Sequence, residues 1–424
     1  MKRRQTITIL AVIIAAGLFR LAFSTLVVGW NAGIRGDELD YHSIATSLTE
    51  GDGYRIDGYL TCRRPPVYPV VLAGAYKLFG PSVTAARILQ VLLGMLLVYL
   101  VFRVARRFFD VNAGFIAAAL AALNPFLILM SGYLLTENIY MVFVLTALLV
   151  MPTPGHISGS LRTVLTAAVL MAAATLARPT GLPMALWMLG GAVLFGSGCP
   201  VYRLRNGLIT AALFAVLLLP WSFRNQAVAG GWVGLTTHGG ITFYQGNNQK
   251  VVDVPHYRGG VAPLDGLPHA AEIARMGELE RERFTREKGM EFLRANKPLL
   301  PRLMWWKFAR FWRLKSESGL SGIKSGWWWS QDSIAGRLAS NLDVGFLYAT
   351  VVFPLFLAGV VLTRRRWREL MFLYGVVVAH TVVALVFFGS IRGRVPVEPV
   401  IAIFAAVTID RVILRLRERR ANPR

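Results

Sequence analysis

Apolar residues along this chain come in long blocks, wider than the single stripe that a helix of a water-soluble protein turns toward its core. Ten blocks, near 6–29, 82–102, 113–130, 137–151, 161–177, 180–197, 206–220, 344–362, 370–389 and 397–413, approach the roughly 20 apolar residues a membrane-crossing helix needs. The first follows Lys2, Arg3 and Arg4, as a secretion signal would. Its apolar run continues past Arg20 to Trp30 with no small-x-small cleavage site, so it reads as a retained span. Two connections are long, 31–81 and 221–343, and most others are tight. In the first, apolar positions at helical spacing predict a helix over 41–48, the glycines of 51–58 predict turns, and Val67–Phe79 reads as a helix dipping into the interface. In the second, a charged helix is expected over about 270–296. Over 299–314, Trp305, Trp306, Phe308, Phe311 and Trp312 are interleaved with Arg302, Lys307, Arg310 and Arg313, and aromatic rings with cations belong at a headgroup boundary. Trp327, Trp328 and Trp329 are placed at the same boundary. The expected architecture is all-α: one polytopic integral membrane domain over 1–424, with about ten spans and interfacial helices in its two long loops.

Composition agrees, with 55% hydrophobic residues, 16% charged residues and a mean hydropathy of +0.50 over 424 residues. The net charge of +23 is a reading of orientation, not of a nucleic-acid partner. With the N-terminus cytoplasmic, the short inner segments hold 19 of the 46 basic residues against four acidic ones. Both chain ends then lie in the cytoplasm and the long loops lie outside. Cys62 and Cys199 fall on opposite sides and cannot pair. The histidines show no ligand spacing, so no metal is expected.

Candidate chemistry collects at the outer ends of the spans. Asp37 and Glu38 follow the first span. Arg63, Arg64 and Arg87 flank the interface helix, Glu137 opens the fourth span, Arg178 ends the fifth, Arg224 follows the seventh, and Arg392 and Arg394 precede the tenth. Outer cations run against the inside-positive bias, and an anionic ligand such as a phosphate explains them simply. Each group also has a plainer reading. Asp37 and Glu38 suit a helix N-terminus. Arg63 and Arg64 suit headgroup anchoring, Glu137 suits pairing with an arginine, Arg178 suits a span terminus, and Gly246-Asn247-Asn248 suits a turn.

In order along the chain, these groups resemble the GT-C glycosyltransferases, in particular the branch of protein O-mannosyltransferases and the lipid A aminoarabinose transferase. The resemblance rests on Asp37-Glu38 with Tyr41, Arg64-Pro65-Pro66 with Tyr68 and Pro69, and Phe79-Gly80 before Ala86-Arg87. It continues through Asn124-Pro125, Thr136-Glu137, Arg178-Pro179-Thr180-Gly181, Pro220-Trp221 with Arg224-Asn225, Gly246-Asn247-Asn248, and Arg392-Gly393-Arg394 before Pro396 and Pro399. It implies transfer of a sugar, with inversion, from a polyprenyl-phosphate carrier to an acceptor hydroxyl on the outer or periplasmic face of a bacterial inner membrane. Asp37 is then the general base, with Glu38 and Glu137 as further acids. Arg63, Arg64, Arg87, Arg178, Arg392 and Arg394 are carrier-phosphate ligands, and Tyr41, Tyr68, Arg224, Tyr244, Asn247 and Asn248 a substrate loop. The donor is the polyprenyl-phosphate sugar, no separate cofactor is implied, and the acceptor is a lipid, a glycan or a protein. Larger members carry further spans or a soluble domain that helps select the acceptor, so acceptor identity does not carry over. Two other classes fit less well: a polymerase or ligase drawing on a diphosphate-linked carrier, and a flippase, whose polar groups belong at mid-membrane depth.

Overall fold

The computed structural model describes residues 3–29, 33–151, 161–195, 199–314 and 344–421. It is a helical bundle capped by a smaller helical unit. The spans are α1 (Arg3–Phe23, continued as a π-helix over Ser24–Gly29), then α4 (Val83–Phe108), α5 (Val111–Leu123) with its short sequel α6 (Pro125–Leu129), α7 (Glu137–Val150), α8 (Leu161–Ala177), α9 (Gly181–Phe195), α10 (Pro200–Ala229), α16 (Val344–Thr363), α17 (Met371–Val386) and α19 (Glu398–Ala421). Between α1 and α4 lie α2 (Asp37–Glu50), a two-residue hairpin pairing Arg55–Ile56 with Tyr59–Leu60, and α3 (Val67–Phe79). The cap is built from α11 (Gly239–Gly246), α12 (Lys250–Asp253), α13 (Ala270–Arg275), α14 (Glu278–Ala295) and α15 (Leu300–Trp312). A short turn of helix, α18 (Ile391–Arg394), precedes α19.

Every expected span falls on a helix, and the all-α membrane fold holds. Among the described residues, four helices are long and apolar enough to cross a membrane by length and composition alone: Arg3–Gly29, Val83–Phe108, Pro200–Ala229 and Val344–Arg366. The others are shorter. α7, with 14 residues, extends about 21 Å against a hydrocarbon core of about 30 Å. Its N-terminal turns are buried in protein, and backbone that ends at membrane depth is tolerated there. Two expected boundaries move. The block at 113–130 divides at Asn124-Pro125, because a residue before proline is driven out of the helical region. Asn124 Oδ1 instead accepts from the backbone N–H groups of Phe126 and Leu127 and starts α6. The block at 206–220 lies inside the longer α10, which carries Pro220 within it and ends at Gly230 with φ 70°. The three tryptophans 327–329 lie outside the described residues.

Small residues let the helices approach. On α5, Ala113, Gly114, Ala117, Ala118, Ala121 and Ala122 are all buried, two stripes at four-residue spacing that bring α4 and α19 close. A Cβ on Gly359 of α16 would lie 2.0 Å from Phe404 O of α19, so those two backbones are in contact. The cap has its own apolar centre of Tyr244, Val251, Ala262, Leu267, Ile273 and Leu303. It is tied to the first loop by Glu278, whose carboxylate accepts from Thr61 Oγ1 at 2.6 Å, Cys62 N at 2.8 Å and Thr237 Oγ1 at 3.0 Å.

Cys62 is 1% exposed, and burial pushes its thiol up to about 11, whereas Cys199 is exposed at the N-cap of α10. Thiolate is the reactive form. A membrane-impermeant maleimide is therefore expected to label Cys199 in inside-out vesicles and to reach Cys62 only after denaturation. Rapid labelling of Cys62 in the folded protein contradicts this packing, and labelling of Cys199 from outside contradicts the orientation.

Candidate active site

Six of the residues picked out by the sequence, Asp37, Tyr41, Arg63, Arg64, Arg178 and Arg392, line a cavity of about 360 Å³ between the bundle and the cap. Asp37 stands at the first position of α2, after Gly36 at φ 55°, a left-handed turn that suits glycine and swings the chain into the helix. Asp40, three residues on, shares its face of α2. Both carboxylates meet Arg64, which the Pro65-Pro66 entry to α3 holds in place. Arg64 Nη2 donates to Asp37 Oδ1 at 2.5 Å and Arg64 Nε to Asp40 Oδ2 at 2.8 Å. Arg63 Nε reaches Asp40 Oδ2 at 3.2 Å. On its other side, Asp37 Oδ2 accepts from Arg392 Nη1 at 2.9 Å. Arg392 Nε donates to Glu137 Oε1 at 2.7 Å, and that oxygen also meets Arg178 Nη1 at 2.9 Å.

The result is one alternating series: Arg63, Asp40, Arg64, Asp37, Arg392, Glu137, Arg178. Four guanidiniums against three carboxylates leave a net charge of +1. Burial alone would push the Asp37 carboxyl up, but Arg392 and Arg64 outweigh it and hold the carboxyl well below the usual carboxylate range. Burial likewise opposes the charge on Arg64 and Arg392, and neighbouring anions keep both guanidiniums firmly protonated. A carboxyl depressed in this way contributes stability above its unfolded pKa of about 3.9, and that contribution fades as pH falls through the folded value.

The cavity wall combines this series with a polar rim and an apolar side. Tyr41, with the Arg64 guanidinium 5.2 Å from its ring centre, Thr136, Thr236, His238, Thr242, Gln245 and Ser390 supply hydrogen-bonding groups. Phe311, Val383, Ala384, Phe387 and Phe388 supply the apolar part. Burial, reinforced by Arg64 and Arg63, pushes the His238 imidazole down to about 3, so it stays neutral, and its Nδ1 has no hydrogen-bond partner. Glu137 is fully buried behind the two arginines and leaves Oε2 without a partner.

Several residues singled out in the sequence sit elsewhere. Glu38 lies behind the wall, where its carboxylate accepts from Leu134 N at 2.9 Å and Arg35 N at 3.2 Å, so it braces α2 instead of facing the cavity. Arg87 is buried and donates to Gly29 O and Gly132 O, fastening the end of the first span. Arg394 pairs with Glu398 at 3.0 Å inside the bundle. Tyr68 Oη accepts from Gln90 at 2.8 Å, and Arg224 donates to Thr61 O and packs over Tyr54 and Trp221. Tyr244, Asn247 and Asn248 form a turn closed by their own amides: Asn248 Nδ2 donates to Tyr244 O at 2.7 Å, and Asn247 Nδ2 to Phe243 O at 2.8 Å. Each of these side chains is engaged by a protein partner, as buried hydrogen-bonding groups require. Conversely, Asp40, His238, Thr242, Gln245 and Ser390 were not singled out. Asp40 had a readable signal, its three-residue spacing from Asp37; His238, Thr242 and Gln245 come from the start and body of α11 in the cap, and Ser390 from the turn before α18.

Residues 63–223 match the family model described as dolichyl-phosphate-mannose-protein mannosyltransferase. In fold, the chain is similar to ArnT from Cupriavidus metallidurans bound to undecaprenyl phosphate, at 18% identity and a TM-score of 0.55, over 97% of this chain and 61% of that one. It is similar also to the archaeal oligosaccharyltransferase AglB from Archaeoglobus fulgidus, in complex with an inhibitory peptide and a dolichol-phosphate, at 15% identity and a TM-score of 0.53, over 98% of this chain and 52% of that one. The chain thus spans about half to three fifths of the length of these relatives. No curated protein matches the sequence. The GT-C resemblance read from the sequence agrees with the family match and with the fold.

Because Glu137 compensates two arginines from a fully buried position, Glu137→Gln is expected to destabilise the protein by about 3 kcal/mol, the lower end for a broken buried pair because both arginines keep some solvent contact. A thermal melt in detergent measures it, and an unchanged Tm contradicts the linkage described.

Proposed function

We propose that this protein is a GT-C glycosyltransferase that moves a sugar, with inversion, from a polyprenyl monophosphate carrier to an acceptor hydroxyl on the outer face of a bacterial inner membrane. The observation that carries the reading is Asp37, shared between Arg64 and Arg392 at the cavity wall. In the resting state both of its oxygens are engaged by cations, which makes the carboxylate a weak base. A donor phosphodiester, with one negative charge, competes for those guanidiniums. As Arg64 and Arg392 turn to the phosphate, Asp37 regains basicity beside the reacting carbon.

The acceptor oxygen then attacks the anomeric carbon, its proton passes to Asp37, and the bond from the anomeric carbon to the phosphate oxygen breaks. Polyprenyl phosphate leaves with its added negative charge stabilised by arginines already aimed at it. Arg178 stands in reserve through Glu137, and His238, neutral and with a free ring nitrogen, supplies a hydrogen bond to a hydroxyl of donor or acceptor. The net charge of +1 along the series suits a carrier with one phosphate better than a diphosphate.

Asp37→Asn is expected to lower kcat by about 10²–10⁴-fold, the usual worth of a positioned base, while bare polyprenyl phosphate binds at least as tightly, because two arginines have lost a competing anion. Wild-type turnover in washed membranes, or clearly weaker phosphate binding, overturns the assignment. The pH profile offers a second check. With its carboxyl held low, the wild-type kcat/KM is expected to stay flat as the medium is acidified to about pH 5. In Arg392→Gln, burial is less opposed, the Asp37 pKa rises, and the acid limb moves to higher pH. A limb that does not move removes Asp37 as the titrating group.

A further inference from the structure

Lys307 is 1% exposed although it belongs to the amphipathic helix α15. Its amine donates to Asn247 Oδ1 at 2.7 Å, Leu385 O at 3.1 Å and Val386 O at 3.3 Å. Burial pushes the amine down to about 7, and in its ammonium form the three donors meet these three uncharged oxygens. Two of these are the last carbonyls of α17, which lack partners inside their own helix and form the negative end of its dipole. Asn247 closes the arrangement by donating from Nδ2 to Val386 O at 3.1 Å.

The segment that follows, 387–394, ends in α18, carries Arg392 and is confined along its length. Gly389 N donates to Gly259 O at 2.8 Å. A Cβ on Gly246 would lie 2.0 Å from Phe387 O, and one on Gly389 would lie 2.1 Å from Lys307 O. The far end is fixed by Arg394, whose Nη1 donates to Arg313 O at 2.7 Å and Phe311 O at 3.3 Å, where α15 ends. Helix α15 therefore grips the loop at both ends, with Arg392 between the grips. The same helix exposes Met304, Trp305 and Phe308, groups that suit a membrane surface.

We propose that Lys307, together with Asn247, is a positioning residue for Arg392: by capping the carbonyl end of α17 it sets the path of the loop and thereby the angle at which the Arg392 guanidinium meets Asp37, Glu137 and the carrier phosphate. The last of these contacts rests on the function proposed above. Lys307 touches neither the cavity nor any reacting atom. It acts through the loop and makes the surface helix part of the site's geometry.

A double-variant cycle in the binding of bare polyprenyl phosphate to the full chain in detergent tests this. Lys307→Met, which keeps the stem and removes the donors, is expected to weaken binding about tenfold, and the Lys307→Met/Arg392→Gln double variant to bind no more weakly than Arg392→Gln alone, the signature of coupled residues. Unchanged affinity in Lys307→Met, or losses that multiply in the double variant, overturns the proposal. If Lys307→Met does not fold, Asn247→Ala enters the same cycle with the same criteria. A readout without ligand stands beside it: nitroxide labels at positions 305 and 388, in a Cys199→Ser background, are expected to give a broader distance distribution when Lys307 is replaced, and an unchanged distribution overturns the clamp. Absence of polyprenyl-phosphate binding by the wild type defeats the function reading instead, and the label distances then decide the clamp by themselves.

Discussion

The structure turns on an alternation of charge. Arg63, Asp40, Arg64, Asp37, Arg392, Glu137 and Arg178 come from the α2–α3 region, the start of α7, the end of α8 and the loop before α19. No two neighbours in the series belong to the same helix. A buried ion without its counter-charge costs several kcal/mol, so each of these segments is constrained by the next. The bundle below and the cap above can be understood as the means of bringing those side chains within about 3 Å of one another. Apolar packing supplies the driving force and alanine stripes the close approach, while the ionic series supplies the demand for one arrangement.

A second cation shows the same logic inside the bundle. Arg20, in the middle of the first span, donates to Ala16 O, Ala121 O and Ala122 O. It meets the carbonyl end of α5, and no carboxylate is paired with it among the described residues. Lys307 does the same for α17. In both places, a helix terminus that would otherwise leave carbonyl groups unsatisfied in an apolar setting becomes the partner of a cation. For Arg20 the sequence signal is a lone charge in an apolar block, which is also how a flippase would advertise its pathway; Lys307 stands among Arg302, Arg310 and Arg313 and gives no such signal. Only the contacts distinguish the two readings.

The architecture was largely legible, because membrane-length apolar blocks follow from the solvent the chain must cross. The helix bounds of α3 were readable to the residue, since Pro66 and Gly80 punctuate it on either side. At the site, Asp37, Arg63, Arg64, Arg178 and Arg392 could be named from their places near the ends of spans, and all five line the cavity. Arg87, Arg394, Arg224 and Glu38 have the same residue types at similar places, yet they are engaged by backbone carbonyls, amides or a private counter-ion. Whether an arginine at a helix end faces a cavity or a neighbour depends on which face packs, and that is a property of tertiary contacts. The polar rim was hidden for a related reason: 236–245 is held over the site by distant partners, with Glu278 and Glu282 reaching Thr237 and Gly240 and the first loop reaching Thr236 and Thr237.

The near-neutrality of the ionic series also bears on how a ligand would arrive. Charges that alternate at hydrogen-bonding distance cancel beyond a few ångströms, and salt shortens the reach of what remains to about 10 Å or less. Such a mouth does not project the long-range field that draws a soluble anion from bulk water. On the function proposed above, a carrier tethered by its prenyl chain would have no need of one, since it would search the plane of the membrane by lateral diffusion and meet the guanidiniums only at contact. Encounter by that route is set by the concentration of carrier in the bilayer and is nearly indifferent to ionic strength.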